Sequence, residues 1–420
     1  MDGIKVLGGH PLHGEIAIQG SKNAILPIIA GTILHDGITV LHNCPKIQDV
    51  MYMVEILKQL GCRVCWTDDT LMINASCLER CDVPADHAGK LRSSIILLGS
   101  LLGRLKEAHV PYPGGCTIGA RPIDLHLQAF RQMGVCIEEQ EGLLLAQTKD
   151  LCGARIHLRF PSVGATENII LGAVLAKGTT VLTGAAREPE IVELAVFLNK
   201  KGARITGMGS DCICIRGVDR LHDSEYTMGP DRIVAGTYVL AALGSRGCVT
   251  LWNAPVDQIK NILYLSGKMG ASLRWNRNCL KVDARRAGAP IPFIETNPYP
   301  GFPTDLQSQL MAVLCMARGN SCIRETVFEA RFHVAEELNK MGARVFTDSM
   351  EARIEGVDRL TGCDVQASEL RGGAALTIAG LMAEGVTRIS NKHFIDRGYV
   401  DICEDLKALG ARISPIEITE

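Results

Sequence analysis

A segment that recurs six times constrains the fold of this chain more than any other feature. Each copy is a helix-like run that ends in glycine and continues into alternating apolar residues, with its glycine at Gly61, Gly134, Gly202, Gly270, Gly342 or Gly410. Successive glycines stand 73, 68, 68, 72 and 68 residues apart. Glycine readily takes the left-handed conformation that ends a helix before a strand begins. The sequence therefore predicts six repeats of one α/β unit.

Each repeat also contains a second helix-like run, which is more apolar and rich in small residues. These inner helices are predicted to begin near six charged or hydroxyl residues, namely Lys22, Arg92, Thr166, Asp231, Asp305 and Arg371. β-like runs follow them, as at residues 37–41, 178–182, 247–251 and 385–389. A helix with little polar surface must be buried, so we expect the sheets and outer helices of its own domain to enclose it. Six repeats then predict two domains of three.

The two ends of the chain predict how the last repeat is completed. Only ten residues follow Gly410, which is too few for the strands that the other repeats have there. The segments 4–7 and 15–18 are predicted to supply these strands and close the last repeat. The predicted domains are therefore residues 22–229, and residues 1–21 with 230–420, with an active site in the cleft between them.

Composition excludes several classes of function. Lys and Arg total 44 against 46 Asp and Glu, so the charge gives no footprint for nucleic acid or an anionic membrane. The N-terminus lacks the basic and apolar pattern of a secretory signal. The longest apolar stretch, residues 23–34, is shorter than the roughly 20 residues that span a bilayer. We expect a cytoplasmic protein whose 16 cysteines are mostly free thiols.

The starts of the inner helices are the first sites at which chemistry can occur. Helix N-termini carry unpaired N–H groups and roughly half a positive charge, so starts that share one face attract phosphate and carboxylate groups. The alternative is simple N-capping on unrelated surfaces.

A thiol bracketed by glycines is the second chemical feature. Cys116 follows two glycines and precedes Arg121 by five residues. Such a loop can bring its backbone close to a substrate, and a nearby cation lowers the pKa of a thiol. Cys116 is therefore a candidate acid or nucleophile, with an inert thiol as the alternative.

A zinc site is the rival reading of the cysteines. The series Cys62, Cys65, Cys77 and Cys81 roughly imitates zinc-ligand spacing. Cys62, however, stands where the later repeats have alanine, and positions 62 and 65 of a strand point to opposite faces. We therefore expect no metal there.

Eight motifs resemble the UDP-N-acetylglucosamine 1-carboxyvinyltransferases, a family of enolpyruvyl transferases, over essentially the whole chain. They are Gly20-Ser-Lys22-Asn23, Leu91-Arg92-Ser-Ser, Pro113-Gly-Gly-Cys116-Thr-Ile-Gly-Ala-Arg121-Pro, Pro161-Ser-Val-Gly-Ala-Thr-Glu-Asn168, Gly229-Pro-Asp231-Arg232, Phe302-Pro-Thr-Asp305, Leu370-Arg371-Gly and Asp396-Arg397-Gly-Tyr. The resemblance implies two inside-out α/β barrel domains of three repeats each. One departure is Ala330, where the family commonly has Asn.

The resemblance also implies the site residues. It makes Lys22, Asn23, Arg121 and Arg397 ligands of phosphoenolpyruvate. Contacts to UDP-N-acetylglucosamine and the rest of the substrate site are implied for Arg92, Arg121, Pro122, Ile123, Asp124, Leu125, Phe160, Pro161, Ser162, Val163, Asp305, Val327 and Arg371. Asp305 resembles the base for the sugar 3-hydroxyl, and Cys116, on a mobile lid, resembles the acid that protonates phosphoenolpyruvate and forms covalent adducts.

The implied reaction is an addition followed by an elimination that begins peptidoglycan precursor synthesis, with no cofactor and with the epoxide fosfomycin as a covalent inhibitor at Cys116. Two alternatives stay open. The first is the related 5-enolpyruvylshikimate-3-phosphate synthase, which lacks the Gly-Gly-Cys motif. The second is a paralogue that binds nucleotide sugars without catalysis.

Overall fold

The computed structural model describes residues 2–114, 118–119 and 121–417. They form two compact units. Unit 1 contains residues 2–19, 118–119 and 230–417, and unit 2 contains residues 20–114 and 121–229. Each unit has a hydrophobic core of its own.

The described residues form 23 strands and 13 α-helices, with runs of two or three strands between many of the helices. The strands are β1 (Asp2–Leu7), β2 (His13–Ala17), β3 (Ile38–His42), β4 (Arg63–Thr67), β5 (Thr70–Asn74), β6 (Glu107–Pro111), β7 (Cys136–Gln140), β8 (Leu143–Gln147), β9 (Arg155–His157), β10 (Thr179–Thr183), β11 (Arg204–Thr206), β12 (Cys212–Arg216), β13 (Ser224–Thr227), β14 (Cys248–Trp252), β15 (Ser272–Trp275), β16 (Cys279–Asp283), β17 (Phe293–Glu295), β18 (Asn320–Arg324), β19 (Arg344–Thr347), β20 (Glu351–Glu355), β21 (Asp364–Gln366), β22 (Val386–Ser390) and β23 (Arg412–Glu417).

The helices are α1 (Lys22–Thr32), α2 (Gln48–Gln59), α3 (Ala85–Ala88), α4 (Leu97–Leu105), α5 (Asp124–Gln132), α6 (Val163–Ala173), α7 (Pro189–Lys200), α8 (Arg232–Gly244), α9 (Lys260–Lys268), α10 (Gln307–Leu314), α11 (Val334–Lys340), α12 (Leu370–Met382) and α13 (Ile402–Ala408). Short 3₁₀ turns cover Arg92–Ile96, Val256–Gln258, Thr304–Leu306 and Lys392–Arg397.

The inner helices are buried, as their composition predicts. In unit 2, α1, α4 and α6 contact one another, and in unit 1, α8, α10 and α12 do the same. Every residue of α10 and α12 is buried. Sheets cover the helices: α12 contacts β1 and β22, while α4 contacts β6 and β8. The predicted α/β class is therefore confirmed.

Each unit contains three small sheets among its described residues. Unit 1 has the strand orders β21-β22-β1-β23, β15-β16-β14-β2 and β17-β18-β20-β19. Unit 2 has the orders β11-β12-β10-β9, β13-β3-β5-β4 and β6-β8-β7. Some inner helices connect two strands that pair in parallel. In the sequence α6 follows β9 and precedes β10, and α12 follows β21 and precedes β22.

The N-terminal strands correct one prediction. β1 does complete the sheet of the last repeat, because it pairs antiparallel with both β22 and β23. β2 does not join that sheet. It pairs in parallel with β14 instead, and β13 pairs in parallel with β3. The reason is that the chain leaves unit 1 after β2 and returns after β13, so each strand pairs within the unit that it belongs to.

The glycines that end the outer helices take the predicted conformation. In all six repeats this glycine has a φ between 82° and 108°, which is the left-handed region. The residue before it packs into the core and is Leu or Met in five repeats. The exception is Lys201, which is fully buried.

Lys201 carries its amine into an apolar position. Its Nζ donates to Thr39 Oγ1 at 2.8 Å and to Ser224 Oγ at 3.4 Å. Burial lowers the pKa of Lys201 from 10.5 to about 8, although the charge of Asp223 partly opposes this. The amine of Lys201 therefore destabilises the native state at any pH at which it is charged.

We expect Lys201→Met to raise the free energy of unfolding by about 1–3 kcal/mol at pH 7. The lowered pKa means that the charged amine destabilises the native state by on the order of 3 kcal/mol, which the variant removes. The variant also loses the hydrogen bond to Thr39, which costs about 1 kcal/mol of stability. Between pH 8 and 10.5 the unfolded chain binds more protons at this residue, so native stability rises with pH relative to the variant. Urea unfolding at pH 7 and pH 10 measures both effects.

The matched control is Lys200→Met, which changes an exposed neighbour of the same type. It should leave stability and its pH dependence nearly unchanged. A Lys201→Met chain that is less stable than the native chain at pH 7 would contradict the prediction.

Candidate functional site

The first inner helix of unit 2 begins with an ion pair. Ser21 caps α1 by accepting a hydrogen bond from Ala24 N, and Lys22 is the first residue of the helix. Lys22 Nζ lies 2.8 Å from Asp49 Oδ2, and both side chains are almost buried. Asn23 follows in the first turn, where helix N–H groups are unpaired within the helix. The chemistry of this end of α1 therefore suits an oxyanion, which would contact Lys22 while Lys22 remains paired with Asp49.

Arg92 joins two segments that the sequence predicts at the substrate site. Arg92 Nη1 donates to Pro113 O at 3.3 Å, and Nη2 donates to Arg121 O. Arg121 has a φ of 45°, a left-handed conformation that a non-glycine residue adopts at a cost. Pro113 and Arg121 stand on either side of Cys116 in the sequence, and Cys116 itself lies outside the described residues. Arg92 thus bonds to one residue on each side of Cys116.

An ion pair joins the segment at 122–125 to Arg159, the residue immediately before the segment at 160–163. Asp124 is the first residue of α5, and its Oδ2 lies 2.5 Å from Arg159 Nη2. Phe160 is exposed, and Ser162 caps α6 by accepting from Ala165 N at 3.3 Å. The helix therefore begins at Val163 and not near Thr166, because the hydroxyl of Ser162 provides the earlier cap. The structure brings these segments together beside Arg121.

A buried hydrogen-bond network behind these segments was missed by the sequence analysis. Asn168 Nδ2 donates to Ile95 O at 2.9 Å, and Gly99 N donates to Asn168 Oδ1 at 2.7 Å. Asn168 Nδ2 also lies 2.9 Å from His126 Nδ1. Burial, followed by the charge of Arg92, lowers the pKa of His126 to about 3, so this imidazole is neutral. The network ties α5 and α6 to the turn that begins at Arg92.

Asp305 is the centre of the charged cluster in unit 1. Arg331 Nη2 donates to Asp305 Oδ1 at 2.9 Å, and Arg371 Nη2 donates to Asp305 Oδ2 at 2.7 Å. Burial raises the pKa of this carboxyl, but Arg371 and Arg331 outweigh burial, and the pKa lies well below its usual range. Asp305 is therefore ionised at every physiological pH.

Glu325 positions both Asp305 and Val327, and no motif singled it out. Its carboxylate accepts from the hydroxyls of Thr296 and Thr304, each at 2.9 Å. It also accepts from Val327 N at 2.9 Å. Thr304 immediately precedes Asp305, so one buried carboxylate holds the turn of Asp305 against the segment of Val327. The signal for it lies in contacts between distant residues, which a single sequence does not display.

Alanine at position 330, where the family commonly has asparagine, keeps a backbone hydrogen bond. Ala330 N donates to Ile118 O at 3.2 Å, and residues 118–119 group with unit 1. A Cβ on Gly119 would stand 2.6 Å from the carboxylate of Glu329. Because the hydrogen bond uses the main chain of Ala330, replacement of Asn by Ala leaves it available.

Other charged residues from the sequence motifs, among them the predicted ligand Arg397, lie at the ends of helices and 3₁₀ turns in unit 1. Asp231 caps α8 by accepting from Ile233 N at 2.7 Å. The guanidinium of Arg232 lies over the ring of Tyr299 at 5.8 Å. Arg397 ends a 3₁₀ turn next to Asp396, which pairs with Lys392 at 2.5 Å. Unit 1 therefore places arginines at the starts of α8 and α12 and beside Asp305.

The cysteines that the structure describes are free thiols, as expected. Cys62 is buried, whereas Cys65 and Cys77 are exposed. These three residues form no group of metal donors within the described part of the chain.

Comparison with known proteins identifies the family. The family model described as EPSP synthase (3-phosphoshikimate 1-carboxyvinyltransferase) matches residues 6–406. The UDP-N-acetylglucosamine 1-carboxyvinyltransferase 2 of Caldanaerobacter subterraneus subsp. tengcongensis is 46% identical over 98% of this chain and 99% of its own. The UDP-N-acetylglucosamine 1-carboxyvinyltransferase of Finegoldia magna is 44% identical over 100% of both chains. This chain belongs to the UDP-N-acetylglucosamine 1-carboxyvinyltransferase family.

Solved structures of two enolpyruvyl-transferring enzymes share the fold of this chain. The enolpyruvyl transferase NikO from Streptomyces tendae matches with a TM-score of 0.88 and 25% identity, over 99% of this chain and 98% of that chain. The EPSP synthase from Acinetobacter baumannii shares the fold, with a TM-score of 0.76 and 17% identity over 99% of this chain and 100% of that chain. The relatives at 46% and 44% identity confirm the resemblance to the UDP-N-acetylglucosamine 1-carboxyvinyltransferases. Among the described residues, none of the helices is both long and apolar enough to cross a bilayer.

We expect Glu325→Gln to lower kcat roughly 10-fold or more, because small displacements of positioned groups are costly to catalysis. The amide places a donor where the carboxylate accepts from Thr304 and Val327. Loss of bonds to a charged acceptor should also reduce stability by about 1–3 kcal/mol. Steady-state kinetics and urea unfolding measure the two effects.

Glu355→Gln serves as the control, since Glu355 is an exposed residue of neighbouring β20. It should preserve both activity and stability. Native kcat in Glu325→Gln would rule out the positioning role.

Proposed function

We propose that this chain transfers the enolpyruvyl group of phosphoenolpyruvate to the 3-hydroxyl of UDP-N-acetylglucosamine and releases phosphate. The observation that carries the proposal is the near full-length identity of 46% and 44% to relatives named for this activity. The reaction places the chain at the entry to peptidoglycan precursor synthesis in the cytoplasm.

The proposed roles in unit 2 follow from its charges. Lys22 and Asn23 bind phosphoenolpyruvate at the start of α1, with Arg121 as a further ligand. Cations at helix N-termini suit phosphate and carboxylate groups. Arg92, residues 121–125 and residues 160–163 contact the UDP-sugar. The ion pair of Asp124 with Arg159, 2.5 Å long, supports a shared sugar-binding role because it joins residues 121–125 to the start of residues 160–163.

The proposed roles in unit 1 centre on Asp305. Its carboxylate accepts the proton of the sugar 3-hydroxyl, and Val327 and Arg371 complete the sugar site. A carboxylate whose pKa is held low by two arginines is a weak base. Anionic substrate groups that draw Arg371 or Arg331 away would strengthen it. Arg397 binds the carboxylate or phosphate of phosphoenolpyruvate.

The proposed chemistry balances in two steps. Cys116 protonates the methylene carbon of phosphoenolpyruvate, the sugar oxygen bonds to C2, and Asp305 accepts the hydroxyl proton. A tetrahedral ketal results. Loss of a proton from its methyl group and of phosphate from C2 then restores the double bond, while the arginines and Lys22 stabilise the leaving phosphate. No cofactor takes part in this scheme.

We propose further that each unit is an inside-out α/β barrel of three repeats. The three mutually packed inner helices and three sheets of each unit support this architecture. The proposed domains are residues 22–229, and residues 1–21 with 230–420.

A 3-phosphoshikimate acceptor is the second candidate, because the matching family model carries that description. With phosphoenolpyruvate present, we expect rapid phosphate release with UDP-N-acetylglucosamine and none above background with 3-phosphoshikimate. A coupled phosphate assay measures both rates. The opposite preference would exclude the proposed acceptor.

Asp305→Asn is expected to reduce phosphate release by about 10²–10⁴-fold, the range typical of a general base. Binding of UDP-N-acetylglucosamine, measured by calorimetry, should survive in this variant. Unchanged release would remove Asp305 from the reaction, and the absence of release in the native chain would favour a non-catalytic binding protein.

Fosfomycin should inactivate the native chain by opening its epoxide on the thiolate of Cys116. Cys116→Asp keeps a proton donor but lacks the sulfur nucleophile, so we expect it to retain activity and resist the inhibitor. Intact-mass spectrometry should show one adduct on the native chain and none on the variant. Exposed Cys77 provides the control, since Cys77→Ser should remain sensitive. Equal inactivation of both Cys116 forms would refute the assignment.

A further inference from the structure

Three potential metal ligands that the proposed reaction does not use stand together at one edge of the sheet β6-β8-β7. Cys81 Sγ, an oxygen of Asp82 and a ring nitrogen of His109 all lie within 4.8 Å of one another. His109 Nδ1 is 2.7 Å from Asp82 Oδ1. Cys81 is half-buried, while the Asp82 side chain is 75% exposed, so an ion can reach the group from solvent.

The main chain holds these ligands in a fixed arrangement. His109 N donates to Cys81 O at 2.8 Å, and Val83 N donates to His109 O at 2.8 Å. Asp82 and His109 form a parallel bridge. Ligands carried by hydrogen-bonded segments need little ordering when an ion binds, which favours affinity.

Glu107 completes the surroundings of the histidine. His109 Nε2 lies 3.2 Å from Glu107 Oε1. Histidines that bind metals usually donate their second ring N–H to a carboxylate, which sets the tautomer and orients the ring. With an ion bound and Nε2–H directed to Glu107, the lone pair of Nδ1 would be available to the ion beside Asp82 and Cys81.

The charges of the group favour a divalent ion. Asp82 and Glu107 place a carboxylate at each ring nitrogen of His109, at 2.7 Å and 3.2 Å. This negative charge beside the sulfur of Cys81 attracts a dication. A sulfur, nitrogen and oxygen set suits zinc, whereas calcium and magnesium prefer oxygen ligands.

We propose that Cys81, Asp82 and His109 bind a zinc ion, with Glu107 orienting His109 and water in the fourth position. Thiolate and carboxylate together balance the two charges of the ion. This site differs from the series of four cysteines considered in the sequence, from which it retains Cys81 alone.

The place of the group in the fold gives the ion a structural role. Among the described residues, β6-β8-β7 has three strands and each other sheet has four. The bridge at Asp82 stands where the other sheets have a parallel strand before the inner helix. An ion would fasten residues 81–83 to β6, and these residues lead through α3 towards Arg92.

Titration of the metal-free chain with Co²⁺ tests the proposal, because cobalt replaces zinc and reports its ligands by absorption. We expect one Co²⁺ per chain, with a thiolate charge-transfer band and the visible bands of four-coordinate cobalt. Cys81→Ser should abolish the charge-transfer band. His109→Gln should weaken binding at least tenfold, and Glu107→Gln roughly 10-fold as an outer carboxylate.

Two controls separate this site from other thiols and from misfolding. Cys77→Ser and Cys116→Ser should keep the full band. Asp82→Asn alters a side chain that is 75% exposed, so it should fold normally yet bind Co²⁺ more weakly. Zinc should raise the thermal midpoint of the native chain but not that of His109→Gln. A band that survives in Cys81→Ser, or a native chain without a saturable band, would overturn the proposal.

Discussion

Burial of three apolar helices in each unit is the interaction on which the rest of this structure depends. Helices such as α12 offer no polar face to solvent, so they are stable only when other elements surround them. Close packing between them requires small residues: a Cβ on Gly99 in α4 would stand 2.3 Å from Asn168 O in α6. Sheets then cover these helices, and each unit has three sheets among its described residues.

The same burial forces the charged residues at the helix starts to find partners. A buried charge is costly unless it is paired, and the pairs observed are Lys22 with Asp49 and Asp305 with two arginines. These pairs hold the charged side chains in place without leaving their charges uncompensated. The buried carboxylate of Glu325 and the buried amide of Asn168 are likewise satisfied by several hydrogen bonds, and these bonds fix the segments that carry the charged side chains.

The path of the chain between the units explains the one irregularity of the repeats. Where an inner helix lies within one stretch of a unit, as α6 does, the strands before and after it pair in parallel. At α1 and α8 the chain has just crossed between units. β2 therefore remains with β14, and β13 remains with β3. Relative to the other repeats, β2 and β13 have exchanged partners. Both sheets still contain a parallel strand beside β3 or β14, because either β2 or β13 can provide it.

Local patterns in the sequence determined the six glycine-capped helices, the buried inner helices and the strands that follow them, since each depends on residues close together in the chain. Its motifs also determined the family. Only the tertiary structure decided that β2 pairs with β14, that Glu325 holds Asp305, that Lys201 is buried where other repeats have Leu or Met, and that Cys81 meets His109. These contacts join residues far apart in the chain, and periodicity along a sequence specifies which face a residue occupies but not which distant residue it meets.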